Sequence, residues 1–143
     1  MTMTDAPTGL RYLSVDECWD RLFTSQIGRL AVNNGNQPDI FPVNYVVDDD
    51  KIVVRTAEGT KLAAAISTGN VAFEIDGIDE SEESGWSVVV HGVAQEPKTV
   101  EAVLHDHGLD LEPWARAGNK FRFIEIVPRR ISGRAVGRDL QDS

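Results

Sequence analysis

The sequence is poor in cysteine, in basic residues and in long apolar runs, and each shortage excludes a class of protein. Cys18 is the only cysteine among 143 residues, so no disulfide can form within the chain and a reducing compartment is expected. No apolar run approaches the roughly 20 residues of a membrane-spanning helix, and residues 1–10 lack the pattern of a signal peptide. Lys and Arg total 14 against 23 Asp and Glu, and the formal net charge of −9 argues against a nucleic-acid surface. These features predict a soluble, cytoplasmic protein.

The motifs of several common enzyme classes are also missing. The sequence has no phosphate-binding P-loop, no dinucleotide fingerprint and no nucleophile elbow. His105 and His107 are two positions apart in a predicted helix, so their side chains diverge and cannot share one metal ion. We therefore predict no catalytic side chain and no metal site. A chain without an acid–base set that still catalyses a reaction usually borrows a cofactor.

The chain is long enough for one domain, which we place at residues 13–143 after a flexible N-terminal arm at 1–12. Ser14 and Glu17 form a capping-box pattern that predicts a helix over 15–25. Runs of β-branched and aromatic residues predict antiparallel strands, and two more short helices are expected after Pro97. The fold class is mainly β, a six-stranded antiparallel barrel, closed or split. The predicted strands are 27–33, 37–47, 51–57, 70–77, 86–96 and 120–127.

Several local features refine this barrel. Asn34 and Gly35 predict a tight hairpin. Pro42 lies inside a strand and cannot donate to its ladder, which predicts an edge, a bulge or an opening. Gly92 inside the longest strand predicts a bulge or a close backbone approach, and residues 88–90 are expected to be buried on both faces. The acidic stretch 78–85 is predicted to be a solvated, mobile loop.

A candidate anion site follows the third predicted strand. Arg55 and Thr56 end that strand, and Lys61 then falls in the first turn of a short helix, where the macrodipole disfavours a cation. Two cations, hydroxyl groups and free N–H groups would converge there, which is the chemistry of a phosphate site. The alternative is that Arg55 pairs with Asp48 or Glu58 and that Lys61 is simply solvated.

The order of three sequence blocks resembles the pyridoxamine 5′-phosphate oxidase-like superfamily of FMN-binding split β-barrels, most closely its short actinobacterial-type members. The blocks are residues 38–65, VAFEIDG and GWSVVVHGVAQEP, and the resemblance covers 13–134. It implies a homodimer with one FMN site per subunit at the interface, or a site for a deazaflavin coenzyme instead. The cofactor-binding residues that it implies, together with the anion site, are Phe41, Pro42, Val43, Asn44, Arg55, Thr56, Thr60, Lys61, Trp86 and Ser87.

Two functions are compatible with this resemblance. The first is a flavin- or deazaflavin-dependent oxidoreductase that transfers hydride to or from a small organic substrate, with stretch 78–85 as a lid. The second is a non-catalytic flavin-binding carrier or sensor, in which that stretch is only a connection. The Arg and His block that binds substrate in true pyridoxamine phosphate oxidases has no match here, so vitamin B6 oxidation is not expected. Arg129, Arg130 and Arg134 form a basic cluster without a matching motif.

Overall fold

The structure is a computed structural model that describes residues 9–57, 69–96 and 121–137 of the chain. The further helices predicted near Lys61, after Pro97 and over 109–117 lie outside these residues. The described part contains one helix and seven strands, and its helix is too short to cross a membrane. The elements are β1 (Arg11–Tyr12), α1 (Val15–Thr24), β2 (Ile27–Asn34), β3 (Gln37–Asp48), β4 (Lys51–Ala57), β5 (Asn70–Asp79), β6 (Ser84–Gln95) and β7 (Phe121–Val136).

Six of these strands close into an antiparallel barrel. Around the barrel the order is β7, β4, β3, β2, β5 and β6, and β6 pairs with β7 again to complete the ring. The predicted six-stranded, mainly β fold is therefore confirmed. Arg11 and Tyr12, assigned to the flexible arm from sequence, form the seventh strand, which pairs with Ala135 and Arg134 of β7.

The last strand closes the barrel and is longer than the sequence pattern indicated. β7 pairs with β4 through its first residues and with β6 over most of its length. The basic segment 128–134 was expected to follow the last strand, but it continues β7. The predicted irregularity at Gly92 is confirmed, because the register between β6 and β7 shifts between His91 and Gly92. A Cβ atom at Gly92 would clash with the carbonyl oxygen of Val127, so the two backbones approach closely there.

The core fills the inside of the barrel because alternate residues of each strand point inward. Val88 and Val90 are fully buried, whereas Val89 between them is partly exposed. The expectation that 88–90 is buried on both faces was therefore wrong at Val89, which lies on the outer surface. The largest fully buried side chains are Phe73, Leu22, Leu30, Ile52, Ile75, Ile124 and Ile126.

Helix α1 begins at the predicted capping box and packs against the barrel. The Glu17 amide donates to Ser14 Oγ over 3.1 Å, and the Ser14 amide donates to Glu17 Oε1 over 2.8 Å. Cys18 and Leu22 are the buried residues of the helix. The Tyr45 hydroxyl on β3 donates to the Leu22 carbonyl oxygen over 2.6 Å, which ties the helix to the sheet.

The acidic stretch 78–85 is a tight hairpin between two strands, so the prediction that all of it is a loop was wrong. Strand β5 runs to Asp79 and β6 begins at Ser84, which leaves only the turn between them. The Asp79 carboxylate organises this turn by accepting from Ser81 Oγ over 2.7 Å and from the Glu82 amide over 3.2 Å. The run of acidic residues lacks the alternation of apolar and polar side chains that identifies a strand. A hairpin accommodates such a run because its acidic side chains can remain exposed to solvent.

Candidate functional site

Adjacent strands β3 and β4 carry most of the predicted cofactor-binding residues. Asn44 of β3 and Arg55 of β4 are register partners, so their side chains point to the same face of the sheet. Asn44 is exposed and Arg55 is partly buried. Pro42 lies two residues before Asn44 and is exposed on the same outer surface. The structure thus brings an amide and a guanidinium together on the outside of the barrel.

The edge of β3 beside these residues is open within the described part of the chain. Pairing between β3 and β4 begins only at Asn44, whereas β3 pairs with β2 along its whole first half, Pro42 included. The opening predicted from Pro42 is confirmed. Val43 points into the core with 4% of its side chain exposed, and Phe41 packs against that core. Only the backbone of Val43 can therefore face a ligand.

The other predicted phosphate contacts are only partly described. Thr56 pairs through its backbone with Arg122 of β7, and its side chain is outside the part of the chain that the structure describes. Thr60 and Lys61 also lie outside it. Arg55 already interacts with another group of the chain. A phosphate would join or replace that interaction.

Trp86 and Ser87 are neighbours near the start of β6, both partly buried, and their side chains point to opposite faces of the sheet. Trp86 packs against the core, with its indole ring on Gly77, where an added Cβ would lie 2.6 Å from the ring Nε1 atom. The guanidinium of Arg21 from α1 covers a face of the same ring, with its Cζ atom 4.7 Å from the ring centroid. Ser87 points outward. A ligand on the outer surface can therefore contact the Ser87 side chain directly, but it can contact only the edge of the Trp86 ring.

The two groups of predicted residues are not in contact within one chain. Strands β2 and β5 lie between β3 and β6 around the barrel. Asn44 and Ser87 are therefore separated by three inter-strand spacings, about 14 Å along the surface. The intervening surface belongs to β2 and β5, whose polar side chains sequence reasoning did not assign to the site.

Those intervening side chains form a charged cluster on the outer surface. Arg29 Nη1 lies 3.2 Å from Glu74 Oε1 and 3.1 Å from Asp76 Oδ2, so one nitrogen bridges two carboxylates. Partial burial raises the pKa of Glu74, and the neighbouring Asp76 raises it further, while Arg29 acts in the opposite direction. Glu74 therefore holds a proton at higher pH than an ordinary glutamate does.

The charged cluster borders a groove of about 830 Å³ that crosses β5, β6 and β7. Asp76, Ser87 and Arg134 lie in one row across the three strands, because Ser87 is the register partner of both others. The next row toward the barrel end has Gly85 in its centre. The groove is lined by Leu10, Arg29, Glu74, Asp76, Gly77, Ile78, Gly85, Trp86, Ser87, Arg134 and Val136.

A smaller cavity of about 240 Å³ adjoins the groove on the side of β1. Ser87 and Arg134 line both cavities, and Tyr12 and Ser132 line the smaller one. In residues 9–57, 69–96 and 121–137, no salt bridge involves Arg134. Arg130, one of the other members of the predicted basic cluster, points its Nη2 atom at His91 Nδ1, 3.4 Å away.

The sequence pattern indicates some of the residues of this groove but not how they come together. The alternation of NVAFEIDG puts Glu74 and Asp76 on one outer face, but Arg29 lies 45 positions before Glu74, and only the barrel brings them together. The role of Gly85 is equally hidden, since a glycine next to a turn reads as turn chemistry. Within the described ranges, no three metal-binding side chains cluster.

Comparison with known proteins places this barrel in a family. The pattern of the family described as pyridoxamine 5′-phosphate oxidase matches residues 14–135, which is most of the chain. The chain belongs to the pyridoxamine 5′-phosphate oxidase family. The resemblance recognised from the order of the sequence blocks is therefore confirmed. Helix α1 and strands β2 to β6 lie within the matched range, and β7 extends one residue beyond it.

Several known proteins are similar to this chain in structure or in sequence. The FAD binding protein from Mycobacterium smegmatis is 40% identical, with a TM-score of 0.70 over 87% of this chain and 98% of that one. A FAD-binding protein from Mesorhizobium loti is 26% identical, with a TM-score of 0.71 over 90% of this chain and 99% of that one. The uncharacterized protein Rv0080 of Mycobacterium tuberculosis is 31% identical over 89% of this chain and 86% of its own length.

Proposed function

We propose that this protein binds a flavin nucleotide on the outer surface of the barrel, with the phosphate held at Arg55. The observation that carries the proposal is the cross-strand pair of Arg55 and Asn44 beside the open edge of β3. A guanidinium offers paired donors to a phosphate, and an amide side chain beside it can both donate and accept. Family membership and the FAD-binding relative at 40% identity support the same ligand class. Thr56, Thr60 and Lys61 would complete the phosphate site.

The flavin ring would lie along residues 41–44. Among the described residues, the edge of β3 before Asn44 has no partner strand on the side of β4, and its backbone supplies hydrogen-bonding groups there. The exposed Pro42 presents an apolar surface to a flat ring. Ser87, with the edge of Trp86, would approach the ring from the partner subunit, because the two groups of residues are three strands apart within one chain. We therefore propose a homodimer with one cofactor site per subunit at its interface.

The outer surface of β2 and β3 supports this dimer. Ile27 and Ile40 are 63% and 68% exposed, and they lie on either side of Arg29 and Pro42 on the same outer face. Large apolar side chains exposed together on a sheet favour burial against another protein surface. A second copy of the chain would cover them and at the same time enclose the flavin ring.

The bound flavin would supply hydride chemistry to a small organic substrate, which makes the protein an oxidoreductase in this proposal. The chain's own contribution would be to bind and orient the flavin and to exclude water. Glu74 is placed to hold a proton beside the site, because its pKa is raised by burial and by Asp76. A non-catalytic carrier or sensor is the second candidate, with cytoplasmic location proposed for either on the basis of the single buried Cys18.

Absorption spectroscopy of the purified protein tests the proposal directly. A bound flavin gives visible bands that the apo protein lacks, and extracting the ligand identifies it. Titration of apo protein with FMN, FAD, a deazaflavin coenzyme and riboflavin then ranks the cofactors. We expect FMN to bind far more tightly than riboflavin. FAD and the deazaflavin coenzyme are the alternative cofactors to FMN. Absence of saturable binding by all four would refute the proposed function.

A further inference from the structure

We propose that the groove over Gly85 is a binding site for a small organic acid, whose carboxylate is held by Arg134 and whose apolar body lies between Ile78 and Val136. This ligand is distinct from the flavin phosphate. Arg55 on β4 pairs with Phe123 near the start of β7, whereas Ser87 on β6 pairs with Arg134, eleven residues further along the same strand. Ser87 is also placed beside the flavin ring in the proposed function, so the acid would bind next to that ring, and this placement rests on the proposed function. The groove itself is tested on protein that is free of flavin.

The apolar half of the site is a slot formed by three residues in register. Gly85 is the partner of Ile78 on β5 and of Val136 on β7, so the three form a row across the outer surface. Ile78 is 81% exposed and Val136 is 45% exposed. Two inter-strand spacings place their Cα atoms about 10 Å apart. Because Gly85 has no side chain, the described residues leave the space between the two apolar walls open down to the backbone.

The charged half of the site lies in the next row of the same three strands. Asp76, Ser87 and Arg134 are in register there, and the Asp76 carboxylate is held by Arg29 at 3.1 Å. In the described part of the chain Arg134 has no such acidic partner. The guanidinium and the Ser87 hydroxyl thus form a donor set beside the slot. A carboxylate fits this set because it accepts from both groups.

An apolar slot at Gly85 lies beside the hydrogen-bond donors of Arg134 and Ser87, and this combination determines which kind of ligand the groove can bind. An inorganic anion would use Arg134 and leave the slot filled with water. An uncharged apolar molecule would use the slot and leave the guanidinium without a partner. Only a compound with an acidic group next to a flat or short apolar body uses both rows at once. A benzoate-sized monocarboxylate is the simplest such compound.

Titration with benzoate, followed by NMR of the amide groups, tests the proposal on the full chain. We expect saturable shifts confined to residues around Gly85, Ser87 and Arg134. Arg134→Gln should weaken benzoate binding about tenfold or more, and Arg134→Lys should retain part of it. Arg130→Gln is the matched control, since it removes an exposed arginine from the same face of β7 outside the groove.

Gly85→Ala tests the slot separately from the charge. A Cβ atom at Gly85 would lie 3.4 Å from the Gly77 carbonyl oxygen and 3.8 Å from Ile78 Cγ1, so the fold accommodates it in ordinary contact. The added methyl group should weaken benzoate binding severalfold and leave binding of inorganic phosphate unchanged. Unfolding curves confirm that each variant is folded.

Four outcomes would overturn the proposal. Benzyl alcohol binding as tightly as benzoate would remove the role of the charge, and phosphate binding as tightly as benzoate would remove the role of the slot. Equal losses in Arg134→Gln and Arg130→Gln would show a diffuse basic surface. No benzoate-dependent shift would show that the groove is closed, for example by a second copy of the chain.

Discussion

The guanidinium of Arg21 lies over the indole ring of Trp86, with 4.7 Å between its Cζ atom and the ring centroid. Helix α1 supplies the cation, β6 supplies the ring, and Gly77 of β5 supplies the surface beneath the indole. A stacked guanidinium of this kind contributes about 0.5–1 kcal/mol at an exposed site and more when water is excluded. The orientation of Trp86, and with it the start of β6, is therefore fixed by two other elements.

Replacing Gly77 with alanine should disturb this arrangement. An added Cβ atom would lie 2.6 Å from the indole Nε1 atom, closer than real contacts permit, so the ring must shift from its present position against Arg21. We expect Gly77→Ala to lower the free energy of unfolding by about 1–3 kcal/mol, as for other overpacked sites. Urea unfolding followed by circular dichroism measures it. Gly85→Ala, where the nearest atom is 3.4 Å away, serves as the control, and equal effects would contradict the prediction.

Tyr45→Phe should cost stability at neutral pH and less at high pH. The change removes the hydrogen bond to the Leu22 carbonyl oxygen and leaves the edge-on contact between the ring and Phe73. Loss of this hydrogen bond should lower the free energy of unfolding by about 0.5–1.5 kcal/mol. Burial raises the pKa of Tyr45 from 10 to about 12, so ionisation is harder in the folded state. The parent protein should therefore lose stability between pH 10 and pH 12, a loss that Phe cannot show. Urea unfolding at pH 8 and pH 11 checks this, and a constant difference would refute it.

Glu74 and Asp79 should give pH dependences of opposite sign. The folded pKa of Glu74 is raised by burial and by Asp76, so the folded state binds the proton more tightly and stability falls as pH rises above 4.5. Hydrogen bonds from Ser81 and Glu82 lower the pKa of Asp79, so its stabilising effect is lost as pH falls below 3.8.

The difference in unfolding free energy between the parent and each variant, measured from pH 3 to pH 8, tests this pair. Relative to Glu74→Gln, the parent should become less stable as the pH rises. Relative to Asp79→Asn, it should become less stable as the pH falls. Slopes of the same sign in the two comparisons would contradict the assignment.

The sequence correctly predicted those structural elements that depend on residues close together along the chain. The capping box of Ser14 and Glu17 gave the helix start, and Pro42 gave the open edge, because each depends on backbone groups within a few residues. The hairpin at 78–85 was missed because its exposed acidic residues hide the strand period. The true length of β7 was missed because Pro128 and two arginines resemble a strand end, whereas a bulge accommodates them.

The candidate site was less predictable because it depends on which strands become neighbours. The two strands that carry Asn44 and Arg55 were predicted from local patterns, and the register that pairs these residues comes from the structure. The contact of Arg29 with Glu74 and the row of Asp76, Ser87 and Arg134 arise only when the barrel closes. No period or motif encodes such a row, since its members are far apart along the chain.

The affinity of an Arg55→Gln variant for FMN, compared with its affinity for riboflavin, tests the central claim most directly. Riboflavin has the same ring without the phosphate, so it separates phosphate binding from ring binding and from the fold. Loss of one charge-assisted contact, about 1.5–3 kcal/mol, should weaken FMN on the order of 10- to 100-fold. The affinity for riboflavin should be low in the parent protein and nearly unchanged in the variant. An Arg55→Gln variant that binds FMN as tightly as the parent does would contradict a phosphate site at Arg55.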